Sequence, residues 1–510
     1  FEVDRPRAMD WRRWHDELLL SWYRDFGAAF RAANHGTVPI GEQPCWANFK
    51  THVFFPLAEL SDMGGTDLYL PGEMKTTLGY AAELFLNFDM NASVYQSRGR
   101  PVMLHEMYVQ DLSPEGLPEA QGWWLAGRGY NLTTFFTYDY YYEGQRAGLP
   151  LVFGMFDKGN KPYPCYAAFK RFSADFFAFG ARYRPASMRR VEPRAAVFLG
   201  DDMSLANILE TGGATWEADG VKGHNGSYWL TQRNGHEVEF VNDTTFSHLD
   251  RERVLVVPWS PVLAAAAVTG ILDFARGGGT VLIDGPFACY DPQYRPYPVC
   301  PGAGAAAALG VSMQGFARQE WAIVLADGTE LKSFGQAQGV ALSDRPTVLR
   351  RDRAGQPVVV SVELGKGRVV WLLSALGPAH RGRAPEAKAL AFWDGLLREA
   401  GLRPWYRFAA AATPAPTDPA AVPLFDLGAR IRDDRELFLY AVSFFGPTRG
   451  TLSVDLPGPL FAVKDAVTGQ PLPVTWQGNT VSFPLELAAF GARVLRLEPA
   501  DKAGKPLAAW

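Results

Sequence analysis

The residue most able to do chemistry is a single carboxylate, Glu106. It closes the apolar run Pro101-Val102-Met103-Leu104-His105-Glu106, and enzymes built on parallel strands place reacting groups at such C-terminal strand ends. A carboxylate there can attack an anomeric carbon and form a glycosyl-enzyme intermediate; the plainer alternative is a salt-bridged glutamate at a strand end. The nucleophilic reading needs a second carboxyl group about 5–5.5 Å away as general acid and base. Glu42 is a candidate because it ends the expected strand Thr37 to Glu42, as a catalytic or a substrate-binding residue. Glu73, after the strand Asp67 to Leu70, is a candidate substrate contact or a solvated turn residue. Glu2 has only Phe1 before it, so no strand is left to position it. His105 and Asp139 have the polarity to bond sugar hydroxyls, and both are equally suited to buried hydrogen-bonding roles. Trp46, Trp123, Trp124 and Tyr138 are candidate stacking platforms, with Trp123 and Trp124 read as part of the loop between the last two strands.

These groups need a scaffold, and the first 190 residues read as alternating helices and short strands. Apolar residues recur at helical spacing from Trp11 through Trp14, Leu18, Leu19, Trp22 and Phe26 to Phe30, predicting a long amphipathic helix over 10–33. Asn34-His35-Gly36 ends it. Further strands are expected at 67–70, 101–106 and 132–138, with helices at 76–96 and 166–183. Such βα units imply parallel strands in a barrel or open sheet. From Arg194 the apolar strands 195–199, 236–240, 254–258, 280–284 and 367–373, with helices 261–276 and 386–400, predict a sheet buried on both faces, hence a doubly wound α/β domain. The Ala/Pro/Thr stretch 409–423 reads as a linker. Beyond it, alternating strands predict a small antiparallel β-sandwich. The expected boundaries are therefore 1–190, 191–408 and 409–510.

Composition narrows the class. The chain has 510 residues, 47% hydrophobic and 20% charged, with a net charge of −4. Basic runs are absent, which argues against a nucleic-acid partner. No apolar run reaches the roughly 18 residues that span a membrane, and no signal peptide is visible, so the compartment stays open. Cys45, Cys165, Cys289 and Cys300 show no metal-binding spacing and are expected as buried free thiols. No metal and no organic cofactor is expected. Gly277-Gly278-Gly279 precedes a strand, whereas a dinucleotide-binding turn follows one.

The stretch Gly154-Met155-Phe156-Asp157 followed by Lys161-Pro162-Tyr163-Pro164-Cys165-Tyr166-Ala167-Ala168-Phe169-Lys170 resembles the run that leads from the last barrel strand into the final helix in glycoside hydrolase clan A. With the domain order, with Gly365-Lys366-Gly367-Arg368-Val369-Val370 and with Asp465-Ala466-Val467-Thr468-Gly469, the chain resembles the family 42 β-galactosidases. The resemblance implies the C-terminal half of a (β/α)8 barrel, a flavodoxin-like trimerisation domain and a C-terminal β-domain. It further implies a retaining, exo-acting β-galactosidase with Glu106 on the seventh strand, and a homotrimer whose neighbouring subunit walls the pocket. Trp259, Phe287, Tyr290, Tyr294 and Tyr297 are then candidates for the subunit contact or for loop packing. Two departures stand against the family pattern. Phe135 to Tyr138 lacks the Trp/Arg pair, and no Asn-Glu pair, which carries the acid/base carboxylate in clan A, exists in the sequence. The expectation is that the acid/base and strands one to four come from an upstream segment or a second chain. The rival reading is a non-catalytic carbohydrate-binding or scaffold protein, or a β-glycosidase of another sugar specificity.

Overall fold

The computed structural model describes residues 4–42, 51–68, 81–108, 114–136, 141–146, 149–211, 218–246, 249, 253–382, 385–411, 423–456 and 461–499. The chain is a mixed α/β protein whose described residues fall into two compact units, and each unit draws on three stretches of sequence. One combines 1–63, 79–98 and 193–403; the other combines 64–78, 99–192 and 404–510. This division cuts the chain at other positions than the expected boundaries at 190 and 408. Residues 1–190 are shared between the two units, and Ala409 and Ala410, expected to open a linker, end the strand Tyr406–Ala410, which pairs with Thr448–Asp455.

The first unit is built on a seven-stranded sheet. Five parallel strands, Ala195–Phe198, Val238–Val241, Val254–Val262, Thr280–Tyr290 and Gly367–Leu372, lie in the spatial order second, first, third, fourth, fifth. Pro357–Leu364 and Thr347–Arg351 extend the last of them antiparallel. Val, Ile and Leu dominate these strands because both faces are covered; Val254–Val262 is buried along its whole length. Helices Ala265–Arg276, Ala387–Glu399 and Asp219–Arg233 supply the covering layers.

Asp219–Arg233 carries glycines that ordinary propensity disfavours. Their reason is tertiary: a Cβ on Gly226 would lie 1.7 Å from the Gly377 carbonyl oxygen. The same junction is fastened by the fully buried Asp284, which accepts from Ser227 Oγ at 2.7 Å, Leu376 N at 2.8 Å and Gly377 N at 2.9 Å. Burial raises the Asp284 pKa, and those three donors work against the rise.

The helix expected at 10–33 runs Arg5–Ala33, N-capped by Asp4. Met9, Asp16 and Gly27 form its buried side, where Arg13 reaches Asp202 at 2.8 Å. The apolar stripe that announces this helix faces outward. Trp11, Trp14, Leu18, Leu19, Trp22, Phe26 and Phe30 are all 37–58% exposed. Seven large apolar side chains on one helix face form a patch of the kind that marks an interaction surface.

Cys289 and Cys300 are joined in a disulfide with a Cα–Cα distance of 4.8 Å, which corrects the expectation of free thiols there. Ten intervening residues rich in Pro and Tyr bring the pair together, a closure that spacing alone does not announce. Cys165 is a buried free thiol, as expected. Trp259, Phe287 and Tyr294 are buried in this unit's core, so of their two readings, packing is the one realised.

The second unit joins a parallel sheet to an antiparallel sandwich. Met63–Leu68, Val102–Tyr108 and Tyr130–Phe136 pair in parallel. The sandwich has one sheet of Tyr406–Ala410, Thr448–Asp455, Thr480–Leu487 and Thr475–Gln477. The other comprises Phe461–Asp465, Gly491–Pro499, Glu436–Phe444, Leu424–Arg432 and the short strand Arg189–Arg190. Leu427, Leu439, Leu452, Phe483 and Leu495 interdigitate between the layers.

Candidate functional site

Glu106 lies on the strand Val102–Tyr108, flanked by parallel neighbours that run in the same direction. The register is interrupted at this residue. Against Met63–Leu68 the partners pass from Thr66↔Leu104 directly to Asp67↔Glu106, and against Tyr130–Phe136 from Leu104↔Thr133 to Met107↔Phe135. The central strand therefore carries one extra residue against both neighbours, a bulge centred on His105 and Glu106. Bulges re-aim side chains and concentrate beside active sites. The side chain of Glu106 lies outside the described residues.

The structure adds one carboxylate that the sequence reading did not single out. Asp67 is the register partner of Glu106 and is only 5% exposed. Thr66, beside it, is fully buried. A buried Asp one strand away from a strand-end Glu is what a two-carboxylate chemistry requires by residue type. The signal was present as an isolated Asp in the apolar segment Met63–Leu68, but it read as the start of a strand rather than its end. His105 is partly buried on the same strand; a Cβ on Gly65 would meet its ring at 2.8 Å, so Gly65 makes room for the imidazole.

The remaining sequence candidates divide sharply. Glu42 forms a two-residue strand with Gly41, and its side chain lies outside the described residues. Trp46, Glu73, Tyr138 and Asp139 lie wholly outside them. Trp123 and Trp124 are corrected. They sit on the helix Leu117–Arg128, at 3% and 1% exposure, rather than in a loop. Trp123 packs edge-on against Phe172 and Phe179. Trp124 Nε1 donates to Asp426 at 2.7 Å. Both rings are core of the second unit and have no surface to offer a sugar.

Outside this sheet, the first unit holds its own titratable cluster at the C-terminal ends of two adjacent strands. Burial and the Asp202 carboxylate push Asp201 up to about 7, and burial with the carboxylates of Asp201 and Asp202 pushes Asp243 up to about 8. Asn242 donates to Asp201 at 3.2 Å, and Asp202 is held by Arg13. Among the described residues no group of His, Cys, Asp and Glu is arranged to hold a metal ion.

His224 is buried on all sides, and neither ring nitrogen has a hydrogen-bond partner. Burial depresses its pKa from 6.5 to about 4. A depressed histidine stabilises the fold above its unfolded pKa, and this contribution is lost as pH falls from about 6.5 to about 4, because the unfolded chain then binds the proton more readily. His224→Gln removes the proton but keeps a polar side chain. The stability gap between native and variant should narrow by up to about 3 kcal/mol between pH 7 and pH 4, at 1.36 kcal/mol per pKa unit. A gap in denaturation midpoints that stays constant over this range would refute the assignment.

No family model matches the sequence, and no curated protein matches it by sequence. Solved structures do match. A catalytic mutant of a GH42 β-galactosidase from G. stearothermophilus superposes with a TM-score of 0.73 at 13% identity, over 97% of this chain and 68% of that one. The β-galactosidase from Bacillus circulans sp. alkalophilus gives 0.71 at 14% identity, with the same two coverages. That of the Antarctic haloarchaeon Halorubrum lacusprofundi gives 0.67 at 16%, over 98% and 69%. The fold of this chain is GH42-like.

Proposed function

We propose that the chain is the C-terminal part of a retaining glycoside hydrolase of clan A type, acting at the non-reducing end of β-linked sugars, with β-galactosides as its substrates. The observation that carries this reading is the bulge at Glu106, two residues before the end of its strand and paired with the buried Asp67, inside a fold like that of GH42 β-galactosidases. Glu106 attacks the anomeric carbon, the leaving-group oxygen takes a proton from the acid/base carboxylate, and water then releases the sugar from the glycosyl-enzyme with that carboxylate acting as base. Each displacement inverts the anomeric centre, so the two together retain it. His105 and Asp139 are assigned to sugar hydroxyls, and Trp46, Tyr138, Glu73 and Glu42 are proposed as substrate-contacting residues on their residue types alone. The chemistry calls for no cofactor.

The acid/base is assigned to polypeptide beyond these residues. Two observations support that: no Asn-Glu pair occurs in the sequence, and the helix Arg5–Ala33 exposes an apolar face of core type. The neighbours also have chain to spare, since 68% of each is matched and 32% has no counterpart. On this reading the strands of the second unit are half of a (β/α)8 barrel completed by an upstream segment or a second chain. The doubly wound sheet is then a flavodoxin-like trimerisation domain, and the assembly is a homotrimer. Proton NMR of aryl β-galactoside hydrolysis by the completed enzyme tests the mechanism. The first sugar released should be the β-anomer; initial appearance of the α-anomer would rule out double displacement. The absence of an Asn-Glu pair also favours a second reading, a non-catalytic sugar-binding protein, and in that case no hydrolysis occurs at all.

A further inference from the structure

The first unit contains a small cavity that the proposed reaction does not use. A cavity of about 210 Å³ lies between the antiparallel hairpin Gly315–Val324/Glu330–Gln338 and the edge of the seven-stranded sheet. Its aromatic wall is Trp321, 43% exposed although it stands on a well-paired strand. Ile323 and Leu373, both buried, contribute an apolar floor, and Gln336, Asp352 and Arg353 contribute the polar groups.

The walls are tied by backbone hydrogen bonds and are therefore preformed. Arg353 N donates to Val324 O at 2.7 Å, Ala337 N to Leu373 O at 2.8 Å and Phe334 N to Ala375 O at 2.7 Å. Asp352 is oriented by Gln356 N, which donates to its Oδ1 at 2.7 Å. No side-chain hydrogen bond or ion pair among the described residues engages the Gln336 amide or the Arg353 guanidinium.

This set of groups defines a ligand chemistry. One carboxylate and one guanidinium balance, so the cavity has no net preference for an anion or a cation. An amide donates and accepts, as do hydroxyl groups, and an indole face with an aliphatic floor suits a ligand that is polar around its rim and apolar on one side. A cavity of this size suits a small ligand of the order of one ring.

We propose that this cavity is an accessory binding site for a single hexose unit, with the ring against Trp321 and its hydroxyls bonded by Gln336, Asp352 and Arg353. The proposal rests on the cavity and not on the glycosidase reading, so each can fail without the other. The test is calorimetric titration of the 510-residue chain with methyl β-galactoside and methyl β-glucoside, in a Glu106→Gln background that removes turnover. Saturable binding is expected, weakened about tenfold by Trp321→Ala, the scale of losing one aromatic contact and its buried area. Gln336→Ala should weaken it severalfold. Trp321 and Gln336 are partly exposed, so both variants should fold, and unchanged melting curves verify this. The proposal is overturned if neither glycoside binds saturably, or if Trp321→Ala leaves affinity and stoichiometry unchanged. It is equally overturned if the cavity takes an apolar dye but no sugar.

Discussion

Glu106→Gln should lower turnover of the completed enzyme by roughly three orders of magnitude or more, about 4 kcal/mol of transition-state stabilisation at 1.36 kcal/mol per decade. The amide is nearly isosteric with the carboxylate, so the strand, its bulge and its pairing with Asp67 have no reason to change. A loss confined to kcat with an unaltered melting curve therefore isolates the chemical role. An activated 2-fluoro-glycoside supplies the positive counterpart, because the fluorine slows the second displacement and lets the glycosyl-enzyme accumulate. Peptide mapping should find the label on Glu106. A label on another carboxylate, or a fully active Gln variant, would remove Glu106 from the mechanism and make the salt-bridged strand-end role the better account. Asp67→Asn separates the two carboxylates further. If Asp67 only orients its neighbour, the variant alters the pH profile and KM without abolishing labelling.

The second large effect is expected far from the chemistry. Asp426 is fully buried and pairs with Arg128, whose side chain is 6% exposed; the same carboxylate accepts from Trp124. Asp426→Ala removes an acceptor that a guanidinium and an indole N–H share in the interior of the second unit. Breaking one partner of a buried pair typically costs about 3–5 kcal/mol, enough to consume much of a domain's net stability. Replacing both charges is a different experiment. An Asp426→Leu, Arg128→Met double variant removes the uncompensated charge and should recover much of the loss. Chemical denaturation of the three proteins reads out the comparison. Equal midpoints for the native chain and Asp426→Ala would show that water reaches the guanidinium and that the pair is not sealed.

How much was legible in the sequence depended on whether local pattern and tertiary context agreed. The parallel strands of the first unit are legible because Val254–Val262 and Thr280–Tyr290 are apolar on both faces, a pattern that few other elements produce. The helix Arg5–Ala33 was found from its stripe, but periodicity gives a face and not what the face meets. The loop expected around Trp123 and Trp124 is instead the helix Leu117–Arg128. The stop signals were there nonetheless: Pro118 sits in the first turn, and Gly129 ends the helix at φ 79°. Asp201–Thr211 and Asp219–Arg233 were invisible for a deeper reason. The glycines of the latter serve contacts such as that with the Gly377 carbonyl, and those contacts exist only once the sheet is assembled. For the candidate site, position along a strand was legible and register was not. The bulge at His105 and the pairing of Asp67 with Glu106 depend on two neighbouring strands whose alignment no single segment encodes.

The interleaving of the two compact units bears on how the protein comes off the ribosome. Residues 1–63 belong with 193–403, and 64–78 and 99–192 belong with 404–510, so neither unit has all its parts until late in synthesis. At about 5–20 residues per second, the aromatic helix Arg5–Ala33 emerges tens of seconds before the last strands of its own sheet. During that interval Trp11, Trp14, Trp22 and Phe26 are sticky nascent chain, and contacts of such long sequence separation form slowly. Slowing translation would lengthen this exposure, whereas a chaperone that holds apolar segments early would shorten it. Soluble yield should therefore respond to growth temperature and to chaperone supply, and also to polar substitution of Trp11, Trp14, Trp22 and Phe26, which stay exposed after folding.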